Sequence, residues 1–257
     1  MRVRSLALTT ELALAATRGR VIDRGDYIVV ETPDDPGYYY GNLLVMPAPP
    51  QVGEVAFWTR RFHEHFPHVQ HVTLWWDGIR GDAGAEAELT AAGFEIERSL
   101  VMTADAIAAA PAVLPLRALA PDEITDQLAW TLADRHDEAY RQFLQRRAAW
   151  QRQLAARGTG RFWGAFDGAA LVASLGLVEL GTIGRYQDVQ TLPAYRGRGL
   201  ASALLYAAAR AASVERVIVL AERGDLYERA GFRVIERTAS ACRYPAGVSG
   251  ARSSRSR

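Results

Sequence analysis

The fold is decided by the stretch YQDVQTLPAYRGRGLASALLYAAARAA, which runs from Tyr186 to Ala212. Residues 187–191 alternate and include a β-branched pair, which predicts a strand, and Pro193 ends it. The tetrapeptide Arg-Gly-Arg-Gly at 196–199 leads into apolar residues at helical spacing, which predict a helix. The glycines let the loop curl with its N–H groups pointing inward, next to the positive end of the new helix. The stretch therefore predicts a cradle for a pyrophosphate, with two arginines at its rim.

Two nucleotide-binding motifs with similar loops do not fit this stretch. A phosphate-binding loop of the G-x-x-x-x-G-K-[ST] type needs a Lys, and all 30 basic residues of the chain are Arg. A dinucleotide fingerprint needs a glycine three positions after Gly199 and an acidic residue for the ribose, and the sequence offers neither. The tetrapeptide alone leaves open a left-handed turn before a capped helix with no ligand.

The run V-x-T-x-P-x-x-R-G-x-G-x-A at 189–201 resembles the acetyl-CoA loop of the GNAT-type N-acetyltransferases, whose signature is Arg/Gln-x-x-Gly-x-Gly/Ala. A second run, DLYERAGF at 225–232, is similar to the closing helix and strand of that family. The clear resemblance covers residues 115–244. It implies an α/β (α+β) fold with a mixed sheet flanked by helices, acetyl-CoA as cosubstrate and no metal.

The resemblance also implies roles for individual residues. Tyr227 lies where the family often places a general acid beside the thioester sulfur, and packing of its ring on the sheet is the alternative. Asp188 and Glu179 are candidates for the general base, although each could be a solvated charge. Regular alternation would put Asp188 and Gln190 on one face of the strand. The residues expected to bind the cofactor are Val189, Gln190, Thr191, Arg196, Gly197, Arg198, Gly199, Leu200 and Ala201.

One departure from the family pattern concerns the start of the closing helix. An Asn that commonly binds the pantetheine region is replaced there by residues 222–225, with the sequence ERGD. We therefore expect an acetyl-CoA-dependent N-acetyltransferase that acts on a primary amine of a small molecule or peptide. The alternative is a domain that holds acyl-CoA as a sensor without turnover.

A weak internal repeat predicts two tandem copies of one fold. The run AGFEIER at 92–98 resembles AGFRVIER at 230–237, and both follow a short helix. The first copy is degenerate, because its counterpart of the glycine loop contains three prolines, which lack N–H donors. We predict an N-terminal domain at 1–108, a catalytic domain at 109–245 and a disordered tail at 246–257.

Composition sets the remaining expectations. A net charge of +1 gives no global field for nucleic acid, and no apolar run is long enough to span a membrane. With a single Cys and no convincing leader, the sequence favours a cytoplasmic protein. His63, His65, His68 and His71 are interpreted as a solvated helix end instead of metal ligands. The aromatic run Tyr38–Asn42 could line an acceptor pocket or form an ordinary strand.

Overall fold

The computed structural model describes residues 1–133 and 136–245, so the predicted tail at 246–257 lies outside the described residues. The chain divides into two compact units. Among the described residues, the first contains Met1–Val101 together with residues 236–245, and the second contains Met102–Ile235. The strand β11, defined below, therefore begins in the second unit and ends in the first.

The first unit is built from a sheet and three helices. Its strand order is β1-β2-β3-β4-β11-β5. Its elements in chain order are α1 (Leu6–Ala16), β1 (Arg20–Asp23), β2 (Ile28–Glu31), a 3₁₀ turn (Tyr39–Gly41), β3 (Leu43–Met46), α2 (Val55–His65), β4 (Val72–Trp76), α3 (Glu86–Ala91), β5 (Glu95–Ala104) and the greater part of β11 (Arg233–Arg243).

The second unit has the strand order β5-β10-β9-β8-β7-β6, in which the end of β5 lies beside β10. Its remaining elements are β6 (Leu116–Ala118), a 3₁₀ turn (Pro121–Glu123), α4 (Gln127–Leu132), α5 (Glu138–Ala156), β7 (Gly160–Asp167), β8 (Ala170–Leu180), β9 (Ile183–Thr191), a 3₁₀ turn (Pro193–Tyr195), α6 (Leu200–Ala211), β10 (Arg216–Ala221) and α7 (Asp225–Arg229). The prediction of a mixed sheet flanked by helices is confirmed.

The two units repeat one pattern of pairing. β1, β2 and β3 pair antiparallel and β3 then pairs parallel with β4. β7, β8 and β9 likewise pair antiparallel, and β9 pairs parallel with β10. A helix joins each parallel pair, and a short helix with a left-handed glycine follows, Gly93 (φ +81°) or Gly231 (φ +97°). The runs that suggested the repeat therefore occupy equivalent positions.

The sequence predicts that Asp137 caps a helix with an apolar stripe; α5 begins there but buries a different stripe. The Asp137 side chain caps it by accepting a hydrogen bond from the N–H of Tyr140 at 2.9 Å. The predicted stripe consists of Tyr140, Phe143, Leu144, Trp150 and Leu154. This prediction is only partly correct. The buried positions are Leu144, Arg147, Ala148, Gln151 and Leu154. Arg147 and Gln151 are buried because their side chains donate hydrogen bonds to the carboxylate of Asp188 on β9, as described below.

The aromatic run was only partly predicted. The sequence predicts a strand over residues 38–46, which is wrong for its first half, because the chain forms the 3₁₀ turn there and the strand only at Leu43–Met46. Buried Asn42 explains the turn: its amide donates to the carbonyl of Asp35 at 2.9 Å, and its oxygen accepts from the N–H of Thr32 at 3.0 Å. None of the helices within residues 1–133 and 136–245 combines the length and apolar composition needed to cross a bilayer.

Candidate active site

The strands β9 and β10 separate partway along their length. They pair in parallel through Ile183, Gly184 and Arg185 on β9, opposite residues 216–218 on β10. Beyond Arg185, β9 continues to Thr191 and β10 to Ala221, and the register records no further pairing between these two strands within the described residues. In the separated part, the backbone N–H and C=O groups of β9 do not pair with those of β10. An extended ligand arm could lie there and use those groups.

A bulge in β9 lies within this separated stretch. On β8, Ser174 pairs with Gln190 and Gly176 pairs with Gln187, so two residues of β9 oppose one of β8. Asp188 is one of the two and has a φ of +49°, the one positive φ among the described non-glycine residues. Asp tolerates this left-handed conformation better than most residues. The bulge interrupts the alternation that was expected to set the direction of the side chains at 187–191.

Asp188 is held by two side chains of α5. Arg147 donates from Nη1 to Oδ1 at 2.8 Å, and Gln151 donates from Nε2 to Oδ2 at 2.6 Å. The ion pair is largely buried, with side-chain exposures of 9% for Arg147 and 11% for Asp188. Both carboxylate oxygens therefore accept a hydrogen bond already. Sequence reasoning missed these two partners, although a polar pair four residues apart inside a helix could have suggested a buried acceptor.

The loop before α6 has the geometry of an anion cradle. Gly197 and Gly199 have φ values of +74° and +76°. A β-carbon at either glycine would meet no atom within 4 Å, so the space next to both glycines is open. Within the described residues, the backbone N–H groups from Gly197 to Ser202 donate no hydrogen bond to a protein acceptor. These donors and the start of a twelve-residue helix favour a bound anion.

The two arginines lie at the exposed rim of the loop. Arg196 donates from Nε to the carbonyl of Thr191 at 3.2 Å. Arg198 places its guanidinium carbon 4.9 Å from the centre of the Tyr195 ring. The Tyr195 hydroxyl donates to Asp167 at 2.7 Å and so ties the loop to the β7–β8 turn. Residues 189–191 are partly buried, and Leu200 is buried beneath the loop.

Tyr227 lies on α7, and its ring packs edge-on against Phe232 with the centroids 5.7 Å apart. Phe232 in turn contacts Tyr186 of β9, with centroids 6.0 Å apart. Burial raises the pKa of Tyr227 to about 12. No residue among those described forms a hydrogen bond with its hydroxyl, in contrast to that of Tyr186, which donates to the carbonyl of Leu205 at 2.6 Å. The Tyr227 phenol is therefore protonated at neutral pH and available as a donor.

Glu179 lies on β8 opposite Gly184, one residue before the end of the β9–β10 pairing. Its Oε1 is buried and accepts no hydrogen bond within the described residues. The Nε of Arg161 lies 3.8 Å from this oxygen. Asp188 accepts a hydrogen bond at both carboxylate oxygens, whereas Oε1 of Glu179 accepts none within the described residues.

The corresponding region of the first unit is closed. β3 and β4 pair to their last residues, Met46 with Trp76, and the N–H of Asp77 donates to Met46 at 2.9 Å. The Gly53 N–H before α2 donates to the carboxylate of Glu88 at 2.7 Å. A side chain of the protein itself thus occupies the donor that a phosphate would need.

Residues 158–234 match the family model described as the acetyltransferase (GNAT) domain. The chain contains a GNAT domain. The matched segment lies within the second unit and includes the separated strands, the glycine loop and α7. No curated protein matches the sequence. Within the described residues, no group of His, Cys, Asp and Glu side chains is arranged to hold a metal ion.

Solved structures share the fold over nearly the whole chain. A conserved protein of unknown function from Staphylococcus epidermidis superposes with a TM-score of 0.71 at 14% identity, covering 88% of this chain and 94% of that one. A GCN5-related N-acetyltransferase from Kribbella flavida gives 0.62 at 16% identity, covering 95% and 98%. A tandem GNAT protein from the clavulanic acid biosynthesis pathway gives 0.50 at 17% identity, covering 94% of both. These likenesses concern the fold, and the tandem protein supports the two-copy arrangement.

Proposed function

We propose that the chain is an acetyl-CoA-dependent N-acetyltransferase that acts on a primary amine. The observation that carries the proposal is the opening between β9 and β10, which lies beside a glycine loop whose N–H groups have no protein acceptor. A phosphorylated cofactor with an extended arm fits both features at once. The GNAT fold supports acyl transfer from coenzyme A as the reaction class, and the acceptor is the part that the fold does not fix.

The loop and β9 would hold the cofactor. The N–H groups from Gly197 to Ala201 would bind the pyrophosphate, with Arg196 and Arg198 adding charge at the rim. The β9 segment Val189–Thr191 would lie along the pantetheine arm. When bound, acetyl-CoA supplies an acetyl thioester. The protein contributes a fixed set of donors that replaces water around the charged groups.

Tyr227 would serve the leaving sulfur by donating a hydrogen bond. A phenol with a pKa of about 12 cannot readily transfer its proton to a thiolate of ordinary pKa, about 8.5, because the transfer is uphill by about 5 kcal/mol. Donation without complete transfer still stabilises the developing negative charge. This refines the general-acid role that the resemblance implied.

The amine must lose a proton during the reaction, and the two carboxylates differ in their availability. Asp188 would have to weaken its contacts with Arg147 and Gln151 before it could accept the proton. We therefore assign Asp188 to holding the bulge in place. Glu179, directly or through water, is the better acceptor because its Oε1 accepts no hydrogen bond within the described residues.

A second candidate function is an acyl-CoA sensor without turnover. It is favoured by the occupied carboxylate of Asp188 and by Glu222 and Asp225 in the run that replaces the family's Asn. The experiment that separates the two candidates measures free thiol released from acetyl-CoA with a panel of amino acids, polyamines, aminoglycosides and peptides. Thiol release that depends on an amine and is lost in Glu179→Gln supports the enzyme. Saturable acetyl-CoA binding with no release for any amine favours the sensor.

A further inference from the structure

A cavity of about 500 Å³ lies in the first unit, among α2, α3 and the end of β11. This volume is within the range of small-molecule sites. Its apolar surface includes Val55 and Ala56 of α2 and Ala92 after α3. From Val55 to His63 the cavity extends along eight residues of helix, which is about 12 Å. A ligand with an apolar body of that length would fit the groove.

One end of the cavity is positively charged. Arg60 and His63 are three residues apart on α2, so they are neighbours on the helix surface. Arg243 of β11 completes the group and donates from Nη2 to Nε2 of His63 at 3.4 Å. Within residues 1–133 and 136–245, neither Arg60 nor Arg243 forms an ion pair with a carboxylate. Glu88 of α3 also borders the cavity, but its carboxylate accepts a hydrogen bond from the N–H of Gly53, before the start of α2. The two arginines outnumber this one carboxylate, and the remaining positive charge favours an anionic group near Arg60 and Arg243.

A buried hydroxyl lies between the charged end and the apolar surface. Thr59 borders the cavity, and its Oγ1 is buried without a hydrogen bond to any described residue. A Thr within a helix commonly donates back to the carbonyl four residues earlier, and Thr59 does not. A ligand that offers this hydroxyl a polar partner would remove the cost of leaving it unpaired.

The cavity does not suit coenzyme A. The N–H of Gly53 is occupied by Glu88, and the N–H of Gln51 donates to Glu54 at 2.9 Å. The paired strands β3 and β4 leave no opening for a pantetheine arm. The ligand must therefore be smaller, with one anionic group and no need for a helix-capping pyrophosphate site.

We propose that this cavity binds a small phosphate or carboxylate that is joined to an apolar body. The anionic group contacts Arg60, His63 and Arg243, and the body lies along Val55 and Ala56. Both anions have the same recognition chemistry, and they are distinguished by comparing phenyl phosphate with benzoate. The site goes beyond the proposed acetyl transfer and does not depend on it.

Isothermal titration calorimetry of the full chain without CoA tests the proposal. We expect one molecule of phenyl phosphate or benzoate to bind per chain, and inorganic phosphate and phenol to bind at least about tenfold more weakly, because each offers half of the recognition. Arg243→Gln and Arg60→Gln should each weaken binding by about tenfold, the loss of one charge-assisted hydrogen bond. Arg2→Gln, an exposed arginine of the same unit, is the matched control and should stay within about twofold.

The outcomes that overturn the proposal are distinct. They are the absence of saturable binding by either aryl anion, inorganic phosphate binding as tightly as both, or equal affinity in the two arginine variants and the control. Arg60 is exposed on α2, so we expect Arg60→Gln to fold normally. This variant keeps the test valid even if Arg243→Gln does not fold. Gly197→Glu, in the other unit, should leave this binding unchanged even where acetyl-CoA binding is lost. A failure here is thereby separated from a failure of the proposed acetyltransferase function.

Discussion

The hydroxyl of Tyr227 is proposed to donate a hydrogen bond to the leaving sulfur. Tyr227→Phe removes that hydroxyl and keeps the ring contact with Phe232. Turnover should fall by about ten- to a thousandfold while acetyl-CoA affinity changes little, because the lost interaction exists only as the thiolate forms. The measurement is steady-state thiol release alongside calorimetric acetyl-CoA binding.

The matched control for this substitution is Tyr186→Phe. That variant loses a buried hydrogen bond to Leu205 and should lower stability by about 1 kcal/mol without a comparable loss of turnover. Turnover unchanged in Tyr227→Phe, where chemistry limits the rate, would mean that the ring serves only in packing.

The prediction for His71 concerns the free energy of unfolding and its dependence on pH. Burial lowers the pKa of His71 from 6.5 to about 4, and its Nε2 lies 3.1 Å from the carbonyl of Asn42. The folded state keeps this imidazole neutral, whereas the unfolded chain takes up its proton below pH 6.5. The contribution is therefore complete above pH 6.5 and is lost as the pH falls towards 4, by up to about 3 kcal/mol.

Chemical denaturation between pH 7 and about pH 4 checks this prediction. His71→Gln should flatten the fall in unfolding free energy relative to the natural chain, and His68→Gln, at an exposed position, should not. Equal pH dependence in His71→Gln and the natural chain would show that another group is responsible.

Among the elements, the loop before α6 carries the prediction about cofactor binding. Gly197 and Gly181 both have positive φ, +74° and +64°, and both face open space. Glutamate at either position therefore meets the same backbone strain, but only Gly197→Glu places a carboxylate at the cradle. We expect Gly197→Glu to abolish acetyl-CoA binding and Gly181→Glu to retain it, measured by calorimetry. Equal acetyl-CoA affinities in the two variants would show that the loop does not bind the cofactor.

The sequence was sufficient for elements whose signals are local. The glycine loop and the Asp137 cap follow from neighbouring residues, and the structure has both. It was insufficient where distant residues decide. The burial of Arg147 and Gln151 depends on Asp188, about forty positions away, and the bulge at Asp188 depends on register with β8. The short edge strand β1 was missed because its residues are mostly exposed and lack alternation.

For the whole molecule, the repeat was visible in sequence, but the pairing of β11 with β4 was not. Residues Ser240–Arg243 of β11 pair antiparallel with β4 of the first unit, across more than 160 intervening residues. Pairing over such a separation has no local signature, since register is set by the buried faces of both strands. Buried hydrogen bonds accompany the pairing: Trp75 Nε1 donates to Thr238 at 2.8 Å.

The two units also differ in the feature that decides cofactor binding. The second has separated parallel strands and loop N–H groups that donate to no acceptor among the described residues. The first has strands paired to their ends and a Glu88 carboxylate at the loop. Equilibrium titration of the full chain with acetyl-CoA therefore tests the central claim most directly. We expect one acetyl-CoA to bind per chain. A stoichiometry of two, or the absence of saturable binding, would contradict it.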